Sequence, residues 1–296
     1  MDGKHLLSGI VCANITPFTK DGQLDIPSLR KLCGYLAESG INSLFPLGTN
    51  GEGILMTVEE RKAAAEVIVS EVRNRIPVIL QCGAMDVERT TELALHARAI
   101  HADGVALMTP YFFGQDDQAL YEYYTSVAGK IPDMPVYIYN ISSHTNNDVK
   151  PALAARIADA VPNVVGIKFS CPDLIRLGEY IRIPGFDALI GCDRLIIPAL
   201  TLGAKGGVSG PAAIFPELFR ALWSAWEKRD LETARALEIK LFGIESALAG
   251  FPGIPLIKAY LKSIGVIETD VCRSPFRKTS EEEAERMCRA IAGCRR

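Results

Sequence analysis

The chain has 296 residues, 48% of them hydrophobic, and a formal net charge of −3. That is enough apolar material for a large core, and a slightly acidic balance argues against nucleic acid or an anionic membrane as the main partner. No apolar run approaches the roughly 18 residues of a membrane span, and the start, MDGKHLLSGIVCANITPF, holds no signal core or cleavage site, so a cytoplasmic, unprocessed protein is expected.

Along the chain, short apolar runs alternate with longer amphipathic ones. The short runs predict strands over 9–15, 42–47, 77–82, 104–108, 135–139, 164–168, 187–191 and 206–209. Helical periodicity fills the gaps, near 26–39, 59–73, 87–101, 116–129, 151–160, 173–180, 194–202 and 215–228. Gly40 closes the first helix, Thr57 with Glu60 forms a capping box for the second, Asp86 caps the third, and Asn147 or Asp148 caps the helix over 151–160. Apolar runs without strict alternation suit strands covered on both faces of a parallel sheet. Eight such units predict a (β/α)8 TIM barrel over 1–229. A doubly wound sheet is the rival, but no nucleotide-binding loop follows the first strand. From 230 onward helical periodicity continues without strands, over 230–249, 254–264 and 279–292, which predicts a C-terminal helical extension, 230–296, packed on the barrel.

Catalytic residues of such a barrel stand at the C-terminal ends of its strands. The sixth strand, V-V-G-I-K, ends in Lys168. An amine at the end of a buried run is costly unless it snorkels to water or has a use. Val164, Gly166 and Lys168 share strand parity, so Lys168 can point into the barrel mouth with Gly166 leaving room below it. Burial disfavours an ammonium, and a neutral amine is the nucleophile that imine formation with a keto group requires. Lys205 precedes the eighth strand, at the opposite end, and reads as structural. Strand 5 ends in Tyr139 and Asn140, where a phenol can pass a proton; Tyr137, below it, reads as core. Strand 2 leads into G-T-N-G-E-G, 48–53, a loop free to present backbone N–H groups to a carboxylate beside the Thr49 hydroxyl, with Glu52 as a brace. Strands 7 and 8 end in Gly191-Cys192-Asp193 and Ser209. No His, Asp and Glu cluster has metal-ligand spacing, so no metal is expected, and the eight cysteines read as free thiols.

Taken together, I-T-P-F near the start, G-T-x-G-E, T-P-Y-F, Y-N, G-I-K and G-A-K-G-G-V-S-G resemble the dihydrodipicolinate synthase / N-acetylneuraminate lyase family of pyruvate-dependent class I aldolases over nearly the whole length. The resemblance implies a homotetramer, a dimer of dimers, with no cofactor beyond a covalent imine between pyruvate and Lys168. It implies that Tyr139 relays protons and that Thr49 and Asn50 hold the pyruvate carboxylate. The other partner would be a small aldehyde or, in the cleavage direction, a longer 2-keto acid. Departures from the family pattern concern that second partner. Asn50 replaces a second threonine. Phe112 replaces a tyrosine that the synthase branch contributes across a subunit interface, and phenylalanine cannot relay a proton. His144 replaces an arginine and is a weaker, pH-dependent anion ligand. Gly191 and Asp193 stand where a polyhydroxylated substrate would hydrogen-bond, but Arg194 stands where the lyase branch has an acid. The expectation is therefore a 2-keto-3-deoxy sugar acid aldolase-like enzyme, with dihydrodipicolinate synthase and N-acetylneuraminate lyase chemistry as alternatives. A non-catalytic keto-acid-binding barrel and a metal-dependent aldolase are the rivals from other classes. The expected catalytic set is Lys168, Tyr139 and Thr49; the expected substrate contacts are Gly48, Asn50, His144, Gly191, Asp193 and Ser209.

Overall fold

The computed structural model describes residues 7–295; residues 1–6, which include His5 and the start of the N-terminal stretch read above, and Arg296 lie outside the described residues. The strands are β1 (Gly9–Cys12), β2 (Ser43–Leu44), β3 (Ile79–Gln81), β4 (Gly104–Met108), β5 (Val136–Asn140), β6 (Val164–Phe169), β7 (Asp187–Ile190) and β8 (Gly206–Ser209). All neighbours pair in parallel, in the order β2-β1-β8-β7-β6-β5-β4-β3. A parallel bridge between Leu44 and Val78 joins the two edges, so the sheet closes into a (β/α)8 barrel.

Helices follow the strands in turn: α1 (Ile26–Glu38), α2 (Val58–Val72), α3 (Val87–Ala99), α4 (Asp117–Ala128), a single turn α5 (Ser142–Thr145), α6 (Pro151–Ala160), α7 (Leu174–Ile181), α8 (Ile196–Leu202) and α9 (Pro216–Glu227). Then come α10 (Leu231–Leu248), α11 (Gly253–Ser263) and α12 (Glu281–Cys294). Two cores result. Val11, Phe45, Ile79, Tyr137, Leu189 and Val208 fill the barrel, while alternate residues such as Ile10, Leu44, Ile138, Ile167 and Ile190 pack outward under the helices. Among the described residues no helix is long and apolar enough to cross a membrane.

Several local expectations are corrected. The second strand stops at Leu44 rather than 47, because Pro46 has no N–H to donate and Leu47 takes a left-handed φ of 62°. On β6, Val164 does not share a face with Gly166 and Lys168. It packs in the outer core and Val165 in the inner one, because the β5–β6 register slips between Val136 and Tyr137. Gly166 makes room for a ring: a Cβ there would lie 2.9 Å from Tyr137 and 2.5 Å from the Asp187 carbonyl. Neither Asn147 nor Asp148 caps α6. Lys150 is its N-cap, and Pro151 removes one donor that would otherwise need a partner. Asn147 instead ties the loop after β4, bonding to the carbonyls of Pro110 and Phe113 and accepting from the Gln115 N–H. Asp148 accepts from Arg176 and Asn140. The Thr57–Glu60 box and the Asp86 cap are present as expected.

Candidate active site

A cavity of about 340 Å³ opens at the C-terminal mouth of the barrel. Larger grooves lie elsewhere: one of about 570 Å³ is lined by Lys20, Asp21, Lys31 and Glu268, and one of about 680 Å³ is mainly aliphatic. Seven of the expected residues line the mouth cavity: Thr49, Asn50, Tyr139, His144, Lys168, Gly191 and Asp193. Gly48 and Ser209 do not. Gly48 lies against the Phe45 ring, and its carbonyl accepts from the Gly53 N–H. Ser209 is fully buried, and its hydroxyl accepts from the Ala212 N–H.

Lys168 is the fifth residue of β6 and only 5% exposed. Its Nζ lies 3.9 Å from the Tyr139 ring centroid and 4.3 Å from that of Phe45. Among the described residues no carboxylate lies within ion-pairing distance of it, so aromatic faces rather than a counter-ion surround the amine. Tyr139 pairs with Lys168 in the β5–β6 register, and its hydroxyl lies 3.0 Å from the Thr49 hydroxyl. The Phe45 and Tyr139 rings meet edge to face at 5.4 Å. Asn50 donates to the Ala13 carbonyl at 3.1 Å, fixing the loop across the mouth to β1. Lys205 is exposed at the other end of the barrel, where its carbonyl accepts from the Gly9 N–H.

The loop that carries Thr49 and Asn50 is held from the C-terminal helices. Glu52, buried and with a left-handed φ of 53°, accepts from the Lys258 ammonium and from the Arg273 N–H at 2.7 Å. Lys258 is itself fully buried on α11 and also donates to the Val271 carbonyl. Burial lowers its pKa in spite of the opposing pull of Glu52. The Arg273 guanidinium grips Glu60 and the carbonyls of Gly22 and Leu55. The short G-T-N-G-E-G motif contains no hint of these distant partners.

Asp193 is the one carboxylate among the described residues lining the cavity; Glu238 and Glu245 lie behind it on α10. Asp193 is pushed up to about 7, first by burial and then by Glu245, against the opposing pull of the Ser209 hydrogen bond and of Lys168. Glu238 is likewise raised to about 7 by burial, although the backbone N–H groups of Ile197 and Ile196 pull it down. Arg194, half-exposed, donates through Nε to Glu245 on α10 and lines an adjoining cavity of about 330 Å³. His144 is exposed at the rim, its Nδ1 2.9 Å from the Ser143 hydroxyl. Phe112 and Phe113 are exposed by 74% and 62% and meet edge to face with ring centroids 4.9 Å apart, outside the cavity lining.

Ser143, Ser170, Ala13, Val208, Gly210 and Pro211 line the cavity without having been expected. Ser170 carried a signal, since it stands two residues past Lys168 on the same parity. The missing side chain of Gly191 makes room for it, because a Cβ there would lie 2.2 Å from the Ser170 hydroxyl oxygen.

The model of the Dihydrodipicolinate synthetase family matches residues 6–293. The chain is 33% identical to a 4-hydroxy-tetrahydrodipicolinate synthase of Syntrophus aciditrophicus, over 97% of this chain and 98% of that one. It is 32% identical to an Escherichia coli protein named probable 2-dehydro-3-deoxy-D-pentonate aldolase, over 95% of each. Among solved structures, it is similar to a prophage protein of the dihydrodipicolinic acid synthase family from Escherichia coli in complex with pyruvate. The TM-score is 0.92 at 29% identity, over 98% of this chain and 99% of that one.

Proposed function

The chain belongs to the dihydrodipicolinate synthetase family, and from that premise we propose that it is a lyase forming its imine on Lys168 and taking a 2-keto-3-deoxy sugar acid, or pyruvate and the matching aldehyde. The observation that carries this is the placement of Lys168: a nearly buried amine at the barrel mouth, faced by two rings, beside a phenol bonded to a threonine hydroxyl.

In the synthetic direction the Lys168 amine attacks the ketone carbon of pyruvate and water leaves, giving a protonated imine. That cation accepts the electron pair when the methyl group loses a proton, and the resulting enamine carbon adds to the aldehyde. Tyr139, with Thr49 behind it, relays the protons at the imine side. Thr49 and Asn50 receive the pyruvate carboxylate on the loop that Glu52 anchors. Ser143, Ser170 and Asp193 offer hydrogen bonds suited to hydroxyl groups, with His144 at the rim. Among the described residues lining the cavity there is no guanidinium, which disfavours an aldehyde that carries its own carboxylate.

The proposal includes a cytoplasmic homotetramer, built as a dimer of dimers, with no cofactor beyond the imine. Exposed Phe112 and Phe113 and a groove of exposed aliphatic residues on α7, α8 and α10 support burial against further copies. It also includes the division into a barrel over 1–229 and an extension over 230–296, the latter supplying Lys258 and Arg273 to the Glu52 loop.

Borohydride reduction with pyruvate, followed by peptide mass mapping, tests the chemistry. A reduced pyruvyl adduct is expected on the peptide containing Lys168. An adduct on Lys205 instead, or none, overturns it.

A further inference from the structure

One wall of the mouth cavity is carried by the segment between β7 and α8. Gly191 and Asp193 line the cavity, and a single 3-10 turn, Asp193–Leu195, leads from there into α8. That turn has little hold of its own. Leu195 is the N-cap of α8 and makes no side-chain capping bond, yet the first N–H groups of a helix need acceptors from outside it. Glu238, far along the chain on α10, supplies the acceptor. Its Oε1 receives the Ile197 N–H at 3.2 Å, and the Ile196 N–H bonds the same carboxyl. About two helical turns further along α10, Glu245 receives the Arg194 Nε–H. From outside the barrel, α10 therefore grips residues 194–197 at two points.

Glu238 is only 5% exposed, and its Oε2 has no hydrogen-bond partner among the described residues. Burying a carboxyl is costly. An aliphatic side chain among neighbours such as Leu174, Ile197 and Ile239 would avoid that cost, but it would strand the N–H groups of Ile196 and Ile197. The pyruvate half of the mouth is held by other parts. Lys168 and Tyr139 are fixed to each other in the sheet, and the loop bearing Thr49 and Asn50 is tied through Glu52 to Lys258 of α11. The two helices thus hold two different parts of the same cavity.

We propose that Glu238 is a positioning residue for the second partner. By holding the start of α8 it sets where Gly191 and Asp193 stand in the cavity wall, and so how well the aldehyde is bound. Activation of pyruvate on Lys168 does not depend on it. The proposal rests on the Lys168 imine and on a sugar-acid substrate. It makes α10 a strap for the aldehyde side, as α11 is for the pyruvate side.

The test uses the full-length protein and three measurements. Deuterium exchange of the pyruvate methyl protons, followed by NMR, reads imine and enamine formation alone. Condensation of pyruvate with D-glyceraldehyde and with glycolaldehyde gives KM for each partner. Amide hydrogen exchange with mass spectrometry reads the peptide that holds residues 193–202. Glu238→Leu is expected to raise KM for the aldehyde by roughly fivefold or more, as loss of about one net hydrogen bond implies. Methyl exchange and KM for pyruvate should stay within about twofold of the wild type, while amide exchange over 193–202 speeds up. Glu238→Gln keeps an acceptor and should match the wild type in all three. If Glu238→Leu does not fold, Glu238→Asp, with its carboxyl withdrawn by one methylene, should show the same split. An unchanged KM for the aldehyde in the Leu or Asp variant overturns the proposal. Equal loss of methyl exchange and condensation would show general structural support only and also overturns it, as does failure of Glu238→Gln to match the wild type. A wild type that exchanges the methyl protons but condenses neither aldehyde overturns the sugar-acid substrate and this proposal with it. A wild type that does not exchange at all overturns the imine itself, an outcome distinct from the others.

Discussion

Lys168 pairs across the sheet with Tyr139 on one side and Leu189 on the other, so its surroundings are set by β5 and β7 rather than by its sequence neighbours. The phenol of Tyr139 can be removed without disturbing that packing. Tyr139→Phe should slow pyruvate trapping on Lys168 without abolishing its final extent, while turnover falls by roughly 10²–10⁴, the usual worth of a positioned acid–base group. Thr49→Val removes the hydrogen-bond partner of the phenol and should cost roughly fivefold, matching a net hydrogen bond of about 1 kcal/mol. Steady-state rates beside borohydride trapping check both; unchanged turnover in Tyr139→Phe would refute the relay role of the phenol. These residues were legible in the sequence because each ends an apolar run at a barrel rim. The environment of Asp193 was not, because Glu238 and Glu245 arrive from α10, far along the chain. Gly48 and Ser209 misled for a related reason: being at a strand end does not say whether a group faces the cavity or the wall behind it.

At the scale of elements, hydrophobic runs predicted all eight strands and every helix that follows them except the single turn α5, because burial on both faces leaves a strong apolar signal. The errors lie where tertiary contacts outvote local pattern, as in the bulge at Val165 and the unused caps before α6. The Glu52–Lys258 pair belongs to this scale, since it joins the loop after β2 to α11 with both side chains fully buried. Lys258→Met should leave the Glu52 charge without its partner and cost about 3–5 kcal/mol. It should also raise KM for pyruvate, because the Thr49–Asn50 segment loses its anchor; thermal melts and kinetics on the same samples read both. Adding Glu52→Gln should recover part of the stability, and failure to do so would show that the buried charge is not the cause. Glu238 gives the pH counterpart on α10. Its carboxyl binds a proton more tightly in the fold than in the unfolded chain, so its contribution to stability is present at low pH and is lost as pH rises from the ordinary carboxylate range through about 7. Glu238→Gln keeps an acceptor for the Ile197 N–H and should stabilise the protein at pH 8 by on the order of 1 kcal/mol, after allowance for screening. At pH 4 the gain should disappear, and melts at the two pH values decide it.

Across the whole molecule, the unexplained feature is the amount of apolar surface left outside two well-filled cores. Ile175 on α7 is 85% exposed, Ile239 on α10 is 62% exposed and Leu231 is 56% exposed, all along one groove of about 680 Å³. Phe112 and Phe113 form a second exposed site on the loop after β4. Scattered apolar residues at a surface need no explanation, but contiguous ones mark contacts. Two such faces on one chain suit a dimer of dimers, in which each face meets its own copy about a two-fold axis. Ile175→Asp combined with Ile239→Asp places like charges at the groove and should convert a tetramer to dimers, while imine trapping on Lys168 persists because no groove residue lines the cavity. Phe112→Ala with Phe113→Ala should disrupt the other face and, from tetramers, also yield dimers, but dimers of different shape. Sedimentation velocity at micromolar concentration distinguishes these species. A wild type that sediments as a monomer would remove the tetramer, and the exposed aliphatic groove would then need another occupant.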